Sequence, residues 1–226
     1  MKHYAVIVAG GSGNRMQTEI PKQFLLLQNL PVLMHTIIAF SKSEYNPEIL
    51  VVLNTNQHAY WAKLCADFNF NIKHQIIAGG AERFHSVKNA INHIHEEGYI
   101  AIHDAVRPLS SKLLIDRCFK GAAESGNVIA ALPSNDSVRI LKNGKTSAVK
   151  RNEVYLVQTP QTFSFKILKE AYQQDFNATF TDDASVVEAA GYEINMVEGE
   201  RNNIKITYPA DLDFAEMILK KESCGN

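Results

Sequence analysis

The chain has 226 residues, with 23 Lys and Arg against 24 Asp and Glu, 46% hydrophobic and 21% charged residues. That balance fits an ordinary globular protein with one sizeable core, and it excludes a disordered chain, a collagen-like fibre and a strongly basic nucleic-acid binder. Three cysteines without Cys-x-x-Cys spacing, no apolar run near the ~20 residues of a membrane span and no leader-like start give the expectation of a reduced, cytoplasmic protein with no membrane partner.

In chain order, residues 4–8 form a continuous apolar run that ends at Gly10 and Gly11, and similar β-rich runs recur at 49–53, 72–77, 99–103 and 128–132. Between them the apolar spacing predicts helices over 32–40, 58–68, 84–95 and 113–123, the last following Ser110 and Ser111 as caps. Strands alternating with helices predict one α/β domain over residues 1–226, with an open, mostly parallel sheet covered on both faces. Ligands bind such sheets outside the carboxyl ends of the strands, so the loops after each strand are the ones to inspect. The alternation breaks after Leu132, where 137–141 and 146–149 flank Asn143-Gly144, a strong signal for a two-residue hairpin and hence for a β-arm over about 137–150. The sequence returns with a strand at 154–157, helices at 165–172 and 182–190, strands at 194–197 and 204–206, and a helix at 209–220.

The first post-strand loop reads Ala9-Gly10-Gly11-Ser12-Gly13-Asn14-Arg15 and continues to Pro21-Lys22-Gln23. Glycines let backbone N–H groups approach phosphate oxygens, yet Met16 and Arg15 stand where a dinucleotide fingerprint and a P-loop need glycine. What is present is a glycine loop flanked by a guanidinium and an ammonium, which suits a triphosphate; the alternative is a turn with solvated charges. The second loop, Gly79-Gly80-Ala81-Glu82-Arg83-Phe84-His85-Ser86, offers backbone amides and the Ser86 hydroxyl to the edge of a base, or simply makes a turn. In the third, His103-Asp104-Ala105-Val106-Arg107, Asp104 ends a buried strand and is placed for a divalent cation such as Mg²⁺ or for an ion pair with Arg107. Near the C-terminus Thr181 reads as a helix cap, and Lys205 interrupts an apolar strand, facing either water or an anionic site.

In this order the segments Ala-Gly-Gly-x-Gly-x-Arg-Met, Pro-Lys-Gln-Phe, Gly-Gly-x-x-Arg-x-x-Ser-Val, His-Asp-Ala-Val-Arg-Pro, Thr-Pro-Gln-x-Phe, Thr-Asp-Asp-Ala-Ser and Asn-Ile-Lys-Ile-Thr span essentially the whole chain. The sequence resembles the 2-C-methyl-D-erythritol 4-phosphate cytidylyltransferase family of isoprenoid precursor synthesis. The resemblance implies a Rossmann-like nucleotidyltransferase fold and transfer of CMP from CTP to a polyol phosphate, with Mg²⁺. It implies that Ala9, Gly10, Gly11 and Gly13 wrap CTP, with Arg15 and Lys22 on its phosphates, and that Gly80, Ala81 and Ser86 contact cytosine. Arg107, Ser137, Arg151, Thr159, Thr181 and Lys205 would bind the acceptor, Lys205 also lying near the reacting phosphate, and Asp104 near the metal and both substrates. Ala81 stands where the family commonly has an acid, which leaves a backbone contact there, and Ser137 replaces a threonine and keeps the hydroxyl. The resemblance also implies a homodimer with crossed arms. A related cytidylyltransferase that takes ribitol 5-phosphate is the nearest rival; the Thr-Asp-Asp-Ala-Ser and Asn-Ile-Lys segments fit the methylerythritol enzyme better. The reaction needs no activated Ser or Cys, because a phosphate monoester is already anionic at neutral pH.

Overall fold

The computed structural model describes residues 1–9 and 20–224. Strand β1 (Lys2–Val8) lies in the interior of a seven-stranded sheet with β4 (Glu48–Leu53) and β6 (Gly98–Asp104) parallel on either side of it. Beyond β4 comes β5 (Gln75–Ala78); beyond β6 come β10 (Tyr155–Ser164), β7 (Asn127–Pro133) and β11 (Met196–Glu198). All neighbouring strands are parallel except β10, which runs antiparallel to both β6 and β7. The expected mostly parallel sheet is therefore present, with one strand inserted the other way.

Alternating side chains send Tyr4 and Val6 to one face of β1 and Ala5 and Ile7 to the other, and both faces are dry. The first face is covered by α3 (Arg83–Asn92), α5 (Phe165–Ala171) and α6 (Asp183–Ala189). The second is covered by α1 (Val32–Ser41), α2 (His58–Asp67) and α4 (Lys112–Ser125). Ser111 caps α4 as expected, its hydroxyl accepting from Leu114 N at 3.1 Å, and Gly126 closes the helix at φ 86°. The last helix, α7 (Pro209–Cys224), instead packs Ala215 against Leu27, Val32, Val106 and Ile206 in a separate small cluster.

Several boundaries differ from the sequence pattern. The run at 72–77 pairs only from Gln75, and the helix expected to reach residue 95 stops at Asn92. Residues 204–206 are not a strand; Ile206 is held by one bond from its N to Val106 O, 2.9 Å. Thr159-Pro160-Gln161, expected beyond the strand at 154–157, lies inside β10, whose register with β7 shifts between Val157 and Gln161. A short hairpin of β2 (Leu26–Leu27) and β3 (Leu30–Pro31) was not legible, because its turn uses Gln28 and Asn29 at φ 46° and 63° without a glycine.

The arm is present. Strands β8 (Arg139–Lys142) and β9 (Lys145–Ala148) pair antiparallel around Asn143 and Gly144 at φ 52° and 75°, and every residue of both strands is exposed. Among the described residues no helix is long and apolar enough to cross a membrane. Phe163, fully buried on β10, locks the inserted strand to the α5 side of the core. Phe163→Ala should therefore lower stability by about 3–5 kcal/mol, read as a lower urea midpoint at unchanged slope.

Candidate active site

The carboxyl ends of β1, β4, β5 and β6 open into a cleft of about 530 Å³, where Ala9, Lys22, Gly80, Ser86, Asp104 and Lys205 meet. This is where an open α/β sheet offers backbone groups and side chains to a ligand.

Asp104 is the last residue of β6, opposite Val8 on β1. Its Oδ2 receives Lys205 Nζ at 3.0 Å and Arg107 Nε at 3.3 Å. Burial alone would raise the carboxyl pKa, but the charges of Lys205, Arg83 and Arg107 outweigh it and hold the group well below the ordinary carboxylate range. Asp104 is thus ionised at any working pH. No donor among the described residues reaches its Oδ1.

Behind Asp104 lies a buried polar layer whose donors and acceptors are mutually consistent. Thr159 Oγ1 accepts from Asp104 N at 3.1 Å, which directs its proton to His103 Nδ1 at 3.0 Å. His103 Nε2 then donates to Arg107 O at 3.2 Å and approaches Ser110 Oγ at 3.3 Å, while Ser110 donates to Asn203 Oδ1 at 2.7 Å. Burial pushes the His103 imidazole down to about 4, so it stays neutral in this layer.

Two lysines converge from separate loops. Lys22 sits in a short 3₁₀ turn and donates from Nζ to Ile206 O at 3.2 Å. The next residue, Gln23, is buried and donates to Ala9 O at 2.9 Å and to Gln57 Oε1 at 3.1 Å, pinning the lysine loop to the end of β1. On the other rim Gly80 N donates to Ser86 Oγ at 3.0 Å. A Cβ at Gly80 would lie 2.3 Å from that of His85, so only glycine allows this turn. Arg83 beside it forks onto the fully buried Asp183 at 2.8 and 2.6 Å, and Tyr172 donates to the same carboxylate at 2.7 Å.

A cleft that gathers two lysines and a carboxylate at the strand ends is matched by similarity over the whole chain. The family model for 2-C-methyl-D-erythritol 4-phosphate cytidylyltransferase matches residues 3–221. The chain belongs to that family. Relatives bearing that name include one from Phocaeicola vulgatus, 46% identical over 97% of this chain and 100% of its own length. Another, from Bacteroides fragilis, is 47% identical over 95% of this chain and 98% of its own. Among solved structures, the Thermus thermophilus cytidylyltransferase superposes with a TM-score of 0.79 at 30% identity, over 97% of this chain and 100% of that one. The 4-diphosphocytidyl-2C-methyl-D-erythritol synthase of Anaerococcus prevotii gives 0.83 at 26% identity, over 97% and 96%. The α/β sheet is accordingly of the Rossmann-like nucleotidyltransferase type.

Of the residues the cytidylyltransferase resemblance singled out, Gly10, Gly11, Gly13 and Arg15 lie outside the described residues. The structure brings together Ala9, Lys22, Gly80, Ala81, Ser86, Asp104 and Lys205. Arg107 and Thr159 adjoin Asp104 but face inward: the guanidinium donates to Asn203 O at 2.8 Å, and the Thr159 hydroxyl is committed to Asp104 N and His103. Thr181, Ser137 and Arg151 are exposed and make no hydrogen bond or ion pair with Asp104 or Lys205. Thr181 is not the cap of α6. Asp182 is, accepting from Ser185 N at 2.9 Å, while Thr181 N donates to Ser185 Oγ. Sequence reasoning assigned no role to Gln23, His103, Arg83 or Asn203; a polar residue at the border of an apolar run was the available signal for the first two.

The low pKa of His103 makes a stability prediction. The unfolded imidazole protonates near pH 6.5 and the folded one only near 4, so stability is full above 6.5 and declines as pH falls through that window. Asp104 titrates below it. With metal and nucleotide absent, wild type should lose about 2 kcal/mol more than His103→Gln between pH 7 and pH 5 in urea unfolding.

Proposed function

We propose that this cleft binds CTP and 2-C-methyl-D-erythritol 4-phosphate side by side and transfers CMP to the acceptor phosphate. The products are 4-diphosphocytidyl-2-C-methyl-D-erythritol and pyrophosphate. The observation that carries this reading is the pair Lys205 and Asp104, 3.0 Å apart at the cleft floor, with the Lys22 ammonium anchored to the same segment through Ile206 O. Two polyanions must be held with the attacking oxygen, the α-phosphorus and the departing pyrophosphate in line, and fixed positive charge does that work. The attacking phosphate oxygen carries its own negative charge, so no side chain has to remove a proton.

Lys22, with Arg15, neutralises the triphosphate, and Lys205 stabilises the charge that grows on the α-phosphate. Gly80, Ala81 and Ser86 receive the base, while the main-chain end of β1 at Ala9 and the glycines after it wrap the phosphates. Asp104 fits a Mg²⁺ site: one ionised carboxylate lines the cleft with no donor among the described residues on its Oδ1, and no cluster of three His, Cys, Asp or Glu ligands exists among the described residues. A cation held by one carboxylate, substrate phosphate oxygens and water would supply further charge neutralisation at the reacting phosphate. Asp104 also keeps Lys205 turned into the cleft.

Two copies pair through the arms, which gives Ser137 and Arg151 an acceptor to bind across the dimer. Supporting this are Ile140 and Leu141 on the arm, 54% and 69% exposed, and the row Tyr155, Leu156 and Val157 at its root, all exposed. Such a ribbon is marginal alone and gains from a partner, and closed two-fold dimers are the commonest assemblies. Polar substrates of this size fit a cytoplasmic enzyme.

Pyrophosphate release should require CTP, Mg²⁺ and the methylerythritol phosphate; faster turnover of ribitol 5-phosphate would overturn the acceptor, and equal use of ATP or UTP the base site. Lys22→Ala and Lys205→Ala should each lower kcat by about 10²–10³-fold while the protein stays folded. Unchanged kcat with a raised KM would reduce both to binding groups. For the dimer, equal amounts of Lys22→Ala and Arg151→Ala chains, allowed to exchange, should recover about a quarter of wild-type activity. Half of the dimers would be mixed, each with one intact site, and no recovery despite exchange would place Arg151 in its own subunit's site.

A further inference from the structure

Lys205 stands on an irregular segment between β11 and α7, with no ladder to fix it. A long, flexible side chain on such a segment would not hold a set position unless something clamps the backbone beneath it. Two residues upstream, Asn203 is fully buried and bonds in every direction available to it. Its Nδ2 donates to Thr159 O at 2.8 Å and to Gln158 Oε1 at 3.2 Å, on β10. Its Oδ1 accepts from Ser110 at 2.7 Å, its carbonyl accepts from Arg107 at 2.8 Å, and its N donates to Glu200 O at 3.1 Å. Two of these partners also support Asp104 from behind: Thr159 binds Asp104 N, and Arg107 binds its carboxylate.

We propose that Asn203 is a positioning residue, the clamp that sets the spacing between the Lys205 ammonium and the Asp104 carboxylate. This rests on the reading of the cleft given above. An amide is required because both Nδ2 protons go to acceptors while Oδ1 meets a hydroxyl donor, a pattern that neither a carboxylate nor an aliphatic group reproduces. Losing it leaves the Thr159 carbonyl and the Ser110 hydroxyl short of partners in a buried layer, so the segment shifts and takes Lys205 with it.

The test compares wild type, Asn203→Ala, Lys205→Ala and the double variant, all as full-length protein, with thermal melts to confirm folding. Asn203→Ala should lower kcat about 10- to 100-fold with KM for CTP changed less than about twofold. In the Lys205→Ala background the same change should cost less than about twofold, since the group it positions is gone. An equal loss in both backgrounds, or an unchanged kcat beside a slow Lys205→Ala, overturns the clamp. Trace acetylation with acetic anhydride, read by mass spectrometry, needs no turnover. Lys205 should gain reactivity about threefold or more over the exposed Lys166 in Asn203→Ala, because its amine is no longer held in contact with Asp104 and swings into solvent. An unchanged ratio overturns the proposal whatever the kinetics. If Asn203→Ala melts below the assay temperature, Ser110→Ala removes the donor to Oδ1, together with the longer contacts to His103 Nε2 and Arg107 O, and should move both readouts the same way, kcat by about threefold. An inactive wild type with a raised labelling ratio would refute the reaction assigned to the cleft and leave the clamp standing.

Discussion

The ionised Asp104, withdrawn from water at the end of a central strand, is the constraint around which the rest of the cleft is arranged. A carboxylate in that position is costly unless cations and donors replace its lost hydration. Lys205, Arg107 and Arg83 supply the charge, and each arrives from a different stretch of chain. Their convergence ties the loop after β6, the segment before α7 and the first turn of α3 to one point. The same requirement keeps a lysine in the cleft, since Lys205 cannot turn away without costing the carboxylate one of its two direct cationic partners. A group that the fold requires and a group that the cleft presents are here one pair.

The uncharged layer behind this pair has a different task. His103, Thr159, Ser110 and Asn203 each have a donor or acceptor role fixed by the next, and a low local dielectric makes any vacancy expensive. Such a layer has few alternative arrangements, which is what a site built on loops needs if it is to hold charges at set distances. The neutral imidazole is central to that, because a proton on its Nδ1 would face the hydroxyl proton of Thr159. Around the layer, the aliphatic faces of the sheet exclude water and contribute the bulk of the folding energy.

The sheet and its helices were legible because strand runs such as 49–53 are short, apolar and punctuated, and a buried parallel strand reads that way on its own. The Asn143-Gly144 turn was equally plain, since its positive φ angles name their own residues. Lys22, Asp104 and Lys205 were found as charged residues in otherwise apolar or glycine-rich surroundings. What the sequence hid was long-range: Arg83 with Asp183, and Asn203 with Thr159, are separated by long stretches of chain and leave no local pattern. The inward turn of Arg107 was hidden for the same reason, as its partner carbonyl lies on a distant segment. Thr181 was misjudged as a cap because Asp182 next to it has the same chemistry, and only the backbone angles distinguish the two.

The inserted strand β10 has a bearing on how the arm can vary. Tyr155 pairs with Pro133 and Leu156 with Leu132, so the two stems of the arm are already hydrogen-bonded to each other before β8 and β9 begin. The ribbon beyond makes no demand on the sheet, and the sheet makes none on the ribbon. Length and sequence between Arg139 and Ala148 are therefore free to drift in concert with whatever surface the ribbon meets, while the root, from which Ser137 and Arg151 depart, keeps its geometry. The fold thus separates an exposed ribbon that can be retuned from a sheet whose register holds the cleft still.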